Sequence, residues 1–193
     1  NRYYNHKLIF CQVPFIPILK YWAFWRKELV MSIFKKACEF VIRMEGGYVN
    51  NPLDPGKATR WGISQNSYPQ LDIENLTQAE AINIYHKDYW KKLNLDALPS
   101  RLALVLFDSG INCGTKRAGI WLQIAINKLT GYRLRLDGQV GLKTLQALQL
   151  CEMWEVMCLI LSFRLKHYAK QKGEFLKGWI IRIAQLLEEI AKE

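Results

Sequence analysis

The sequence predicts a mainly α fold with at most a small β-hairpin after the first body helix, on three observations. Apolar residues recur at steps of three and four through most of the chain from Met31 onward. Capping residues precede several of these runs, and glycines close them. Breakers gather in one stretch, residues 46–76, where Pro52, Pro55, Gly56, Gly62 and Pro69 interrupt any helical period. No spacing suggests the strand and helix alternation of a parallel sheet.

Residues 1–30 stand apart. Their apolar run LIFCQVPFIPILKYWAFW is broken by Pro14, Pro17 and Lys20, which makes it a poor membrane span. A basic start before an apolar run is signal-like, yet no small-x-small cleavage site follows. Met31 opens a cleaner amphipathic pattern, so residues 1–30 are expected to be an N-terminal extension outside the fold.

From there the elements follow in order. Ile33, Phe34, Ala37, Phe40, Val41 and Met44 mark a helix with Ser32 as its N-cap, stopped by Gly46 and Gly47. A short extended piece is expected around Arg60 to Ser64. Thr77 and Glu80 have capping-box spacing and open a helix to about Leu93 that carries Ile82, Tyr85, Tyr89 and Trp90. Ser100 caps a helix to about Asn112, ending near Gly114, and another runs from about Lys116 to Leu129 before Gly131. An Asp-Gly turn in RLRLDGQVGLKTLQAL precedes a short helix from about Leu142. A long helix near Glu152 to Lys172 and a final one in EFLKGWIIRIAQLLEEIAKE complete the chain.

The 193 residues, half of them hydrophobic, suit one compact domain with a small appendage. The formal charge of +10 favours polyanions, whether nucleic acid, anionic lipid or an acidic wall polymer. No Lys/Arg run has the density of a nucleic-acid tail, so a nucleic-acid partner is not expected. Five cysteines form no CxxC pair and no even framework, and three histidines are scattered, so neither a disulfide scaffold nor a metal site is expected. Neither a GxSxG elbow, a phosphate-cradling GxxxxGK[ST] nor an HExxH motif is present.

The chemistry concentrates in EGGYVNNPLDPGKATRWGIS, residues 45–64. Glu45 ends an apolar helix, and the glycines behind it remove side chains that would cover it. The helix C-terminus and apolar neighbours disfavour a charged carboxyl there, which suits a general acid. Asp54 lies in the loop NPLDPG, where a carboxylate stays hydrated and ionised. Two carboxyls in unlike environments are what glycoside hydrolysis requires. Thr59 and Tyr48 can position water or sugar hydroxyls. Residue by residue, a helix stop and a polar turn account equally well for this stretch. Asp108, in the apolar helix around LFDSGINCG, needs a partner or a cavity; anchoring of the helix and lining of the cleft are both open to it, and Asn112, one turn on, can share either role.

Together EGGYVNNPLDPGKATRWGIS, AINIYHKDYW, LFDSGINCG, LDGQVGLKTLQAL and FLKGWIIRI resemble, in order and over nearly all of Met31 to Ile183, glycoside hydrolase family 108. These are bacterial and phage N-acetylmuramidases, endolysins among them, with a lysozyme-like fold. The resemblance implies that residues 31–115 form a lysozyme-like catalytic portion and 116–193 a helical peptidoglycan-binding portion packed on it. It makes Glu45 the catalytic acid. The interval from Glu45 to Asp54, with Thr59 following, is similar to the Glu, Asp, Thr arrangement of phage-type lysozymes, and it adds Asp54 and Thr59 to the catalytic set. From the residue-level reading, Tyr48, Asp108 and Asn112 are the candidate substrate-binding residues.

One departure stands out: Lys57 follows Gly56 where the family has a second glycine before Ala58 and Thr59. The implied substrate is the β-1,4 bond between N-acetylmuramic acid and N-acetylglucosamine, cleaved without metal or organic cofactor by a monomer. The enzyme is made in the bacterial cytoplasm and acts in the periplasm or cell wall after release. A non-catalytic wall-binding or secretion-helper protein retaining the fold is the alternative.

Overall fold

The computed structural model describes residues 18–45, 49–50, 58–171 and 175–192. Of the stretch that carries the chemistry, Tyr48, Asp54 and Lys57 lie outside the described residues.

Helix α1 spans Ile18–Glu45. It begins well before the expected cap at Ser32, which is an exposed mid-helix residue. Among the described side chains of α1, Phe34, Ala37, Cys38, Phe40 and Val41 are buried, in keeping with the expected apolar period. Of the residues just before Ser32, Glu28 and Met31 are exposed.

A three-stranded antiparallel sheet follows, β1 Val49–Asn50, β2 Ala58–Arg60 and β3 Ile63–Ser64, one strand more than the expected hairpin. Thr59 is the middle residue, paired with Val49 on one side and Ser64 on the other. The β2–β3 connection is the two-residue turn Trp61-Gly62, with φ of 52° and 72°. Positive φ at both positions gives the tight primed turn that matches strand twist.

Helix α2, Gln78–Tyr85, opens with the expected capping box, Thr77 accepting from the Glu80 amide while the Glu80 carboxylate accepts from the Thr77 amide. It runs on as a π-helical turn, His86–Trp90, and the chain then folds through Asn94 at φ 50° into the 3₁₀ turn Leu95–Ala97. Helix α3, Ser100–Cys113, is buried almost all round; Pro99, not the expected Ser100, occupies its cap position. It is therefore the central helix. Phe34, Trp90 and Phe107 meet edge to face at 5.1 to 6.1 Å and join α1, the π turn and α3.

Four helices follow, α4 (Thr115–Thr130), α5 (Leu142–Leu148), α6 (Met153–Tyr168) and α7 (Leu176–Ala191), with α5 packed on α4. Helices α4, α6 and α7 each touch α3, and α7 also lies along α6. Tyr168 stacks on Trp179 at 4.9 Å between α6 and α7. Near the C-terminal ends of α1 and α7, Arg43 pairs with Glu189 at 3.0 Å on the surface. Among the described residues no single helix is long and apolar enough to cross a membrane.

Candidate active site

Glu45 is the last residue of α1, and its side chain is partly exposed at 21%. Two features confine its carboxyl. From α7, the Arg182 Nη1 donates to Glu45 Oε1 at 2.5 Å. From the sheet, Gly62 approaches so closely that a Cβ there would stand 2.7 Å from the Glu45 Cγ and 2.8 Å from its carboxyl carbon. The Trp61-Gly62 turn is itself held from below: the Tyr85 hydroxyl donates to the Trp61 carbonyl, and Trp61 Nε1 donates to the Leu76 carbonyl at 3.2 Å. Burial foremost, with Glu45 adding to it, pushes the Tyr85 phenol up, so it remains a neutral donor.

Behind Glu45 lies a buried ionic network. Asp108 on α3 is fully buried, with Oδ1 taking a hydrogen bond from Arg182 Nε at 2.8 Å and Oδ2 one from Arg164 Nη1 at 2.6 Å. The Arg182 Nη2 comes within 2.6 Å of the same Oδ1 without hydrogen-bond alignment. Arg164, on α6 and also fully buried, donates through Nε to the Tyr168 hydroxyl at 2.8 Å. Two carboxyl groups therefore face two guanidiniums. Burial alone pushes the Asp108 carboxyl up; the guanidiniums of Arg182 and Arg164 more than reverse this and hold it below the usual carboxylate range. Burial likewise pulls the Arg182 guanidinium down, and Asp108 and Glu45 outweigh it, so Arg182 stays charged.

The sequence-derived residues are thus distributed unevenly. Glu45 sits at a helix end as expected, though it has a guanidinium neighbour where apolar contacts were anticipated. Thr59 is half-buried in the central strand, two residues before the turn that packs on Glu45. Asp108, expected among the substrate-binding residues, is fully enclosed in the ionic network and reaches Glu45 only through Arg182; of its two open roles, the anchoring one describes its side chain. Asn112 is half-buried, and its Nδ2 bonds back to the Asp108 carbonyl at 3.0 Å, one turn up its own helix. Asp54 and Tyr48 fall outside the described residues. Among those described, no group of three or more His, Cys, Asp or Glu side chains is placed to hold a metal ion.

Arg164, Arg182 and Gly62 were missed from sequence, though the two arginines left a signal. Arg164 falls on the buried stripe Val156, Met157, Ile160, Leu161, Tyr168, and Arg182 on the stripe Ile183, Leu186, Ile190. A cation on an apolar stripe demands a buried acid.

Residues 38–114 match the model of the family glycosyl hydrolase 108. Glu45, Asp54, Thr59, Asp108 and Asn112 lie inside this span, and Arg164 and Arg182 lie beyond it. No curated protein sequence matches the chain. Among solved structures, that of Brucella abortus SagA is similar, with a TM-score of 0.76, 28% identity, and coverage of 84% of this chain and 95% of that one. The mainly α architecture described above is thus a lysozyme-like fold.

Proposed function

We propose that this glycosyl hydrolase 108 protein is an N-acetylmuramidase, cleaving the β-1,4 bond between N-acetylmuramic acid and N-acetylglucosamine. The family supports a hydrolase of peptidoglycan glycan strands; the bond and the mechanism are our reading. The observation that supports it is Glu45: a partly exposed carboxyl at the end of a helix, bonded to a guanidinium and packed against a glycine turn, has the access that a general acid needs.

In this mechanism the protonated Glu45 gives its proton to the glycosidic oxygen as the C1–O bond breaks, the bonding pair leaving with that oxygen. The sugar passes through an oxocarbenium-like state. Asp54 stabilises that charge or, with Thr59, orients the attacking water, which adds to C1 and returns a proton to a carboxylate. When Glu45 is neutral, Arg182 keeps the hydrogen bond from its Nε to Asp108. The second half of the chain offers a groove of about 780 Å³ lined in part by Arg133, Arg135 and Lys143 together with Asp137, a surface that suits an anionic wall polymer. Action in the periplasm or wall follows from that substrate.

Lys57, a long cation where the family has glycine, favours a second reading: a wall-binding or secretion-helper protein without turnover. One experiment separates the two. Wild type and Glu45→Gln are compared on purified peptidoglycan, with the new reducing-end sugar identified. Release of muramic ends by wild type and none by a folded Glu45→Gln protein is the expected result. A fully active Glu45→Gln protein sinks the acid assignment, and wall binding without any reducing ends favours the helper.

A further inference from the structure

We propose that Arg182 is a positioning residue for the acid, fixing Glu45 through Oε1 so that the transferable proton resides on Oε2. This rests on the reading of Glu45 as the general acid. The Arg182 side chain bridges two carboxylates: Nε is bonded to Asp108 Oδ1 at 2.8 Å, and Nη1 to Glu45 Oε1 at 2.5 Å. A guanidinium is a rigid planar fork, so once Nε is pinned the direction of Nη1 is set. Asp108 is itself pinned from the far side by Arg164, and Arg164 by the Tyr168 hydroxyl. The line Tyr168, Arg164, Asp108, Arg182, Glu45 therefore crosses α6, α3, α7 and α1 and ends on the reacting group.

The charge balance argues against a purely structural role. Asp108 is already neutralised by Arg164 at 2.6 Å. A second buried guanidinium would be an uncompensated cost unless it had another acid, and Glu45 is that acid. The turn at Gly62 packs against the Glu45 side chain, close enough that a Cβ there would stand 2.7 Å from its Cγ. A guanidinium donates to a carboxylate oxygen and, less strongly, to the carbonyl oxygen of a protonated carboxyl, so the Oε1 contact can persist on uptake of the proton. It leaves Oε2 as the proton-bearing oxygen. Since Arg182 lies outside residues 38–114, the C-terminal helices then take part in building the acid's surroundings.

The test uses the full-length protein on soluble glycan fragments, with kcat and KM measured separately for Arg182→Gln, Arg182→Lys, Glu45→Gln and a stability control, Leu122→Ala, whose side chain is buried on α4. A misplacement of about 1 Å at a reacting group costs on the order of 100-fold. We expect Arg182→Gln to lower kcat by about 10- to 100-fold while KM changes by less than about twofold. Arg182→Lys keeps a cation for Asp108 without the fork; it should fold even if Arg182→Gln does not, and should recover only part of the rate. Leu122→Ala should lower Tm with kcat unchanged. Both Arg182 variants turning over as fast as Leu122→Ala, with Glu45→Gln inactive, would overturn the positioning role and leave the acid assignment standing. An active Glu45→Gln protein would remove the acid assignment and the inference with it.

Discussion

Replacing Asp108 by asparagine keeps the shape of the side chain and removes the charge that two buried guanidiniums share. Arg164 has no exposed surface and Arg182 only 9%, so neither can recover hydration when its partner is lost. Breaking a buried pair from one side costs about 3–5 kcal/mol. For a chain of this size each kcal/mol moves Tm by about 2–4 °C, so Asp108→Asn is expected to melt roughly 6–20 °C below wild type at pH 7. The pH dependence gives a sharper check. The native Asp108 carboxyl is held below the usual range, whereas in the unfolded chain it returns to an ordinary value near about 3.9. Between those two values the unfolded state binds more protons than the native state, so stability rises with pH there. The Asp108 contribution is therefore fully present above about pH 4 and is lost as pH falls through the native value. Asparagine has no such titration, so the gap between wild type and variant should be widest near neutrality and narrow on acidification. Urea unfolding followed by far-UV circular dichroism at pH 7 and in steps below pH 4 measures it. A gap under about 1 kcal/mol at pH 7, or one unchanged in acid, would refute the view of Asp108 as the shared counter-ion of a buried network.

Two further substitutions separate the site from the scaffold. Gly62→Ala places a Cβ 2.7 Å from the Glu45 Cγ and forces an L residue to φ 72°, so we expect a loss of about 1–2 kcal/mol from the backbone and a fall in kcat of at least about tenfold as the carboxyl is displaced. Unaltered turnover would show that the turn does not confine Glu45. Thr77→Ala removes one half of the α2 capping box, far along the chain from the ionic network, and should cost about 1 kcal/mol in unfolding free energy while kcat stays at the wild-type value. A large loss of activity there would mean that the sheet region and α2 are not separable from the site.

Much of the scaffold was legible because it rests on local rules. The helical periods and the capping box at Thr77 each depend on residues within a few positions of one another, whereas the extended piece expected around Arg60 to Ser64 is broken by the Trp61-Gly62 turn between β2 and β3. The errors share a different cause. Ser32 reads as an N-cap, but the chain before it continues the helix, since nothing between Ile18 and Ser32 forbids helical φ and ψ. Ser100 reads as a cap, yet Pro99 supplies the extended residue ahead of α3. In both cases a favourable local signal was present and a neighbour decided the outcome.

The site divides along the same line. Glu45 is identifiable from its position before two glycines, but its partner stands 137 residues away, and no local rule spans that distance. What does span it is electroneutrality. Three charged residues fall on otherwise apolar helical stripes: Asp108 on α3, Arg164 on α6 and Arg182 on α7. A buried ion without a counter-ion costs several kcal/mol, so these residues must find one another once the helices pack. They sum to one positive charge in excess, and the core therefore demands one more acid. Glu45, where α1 meets a turn that lacks side-chain cover, fills that place without being buried itself. The same carboxyl thus stands as the second acid of the core network and, in the proposed reaction, as the proton donor. Any change that strengthens the network without Glu45, such as a second acid near Arg182, should release the carboxyl from Arg182 and lower turnover while leaving the fold intact.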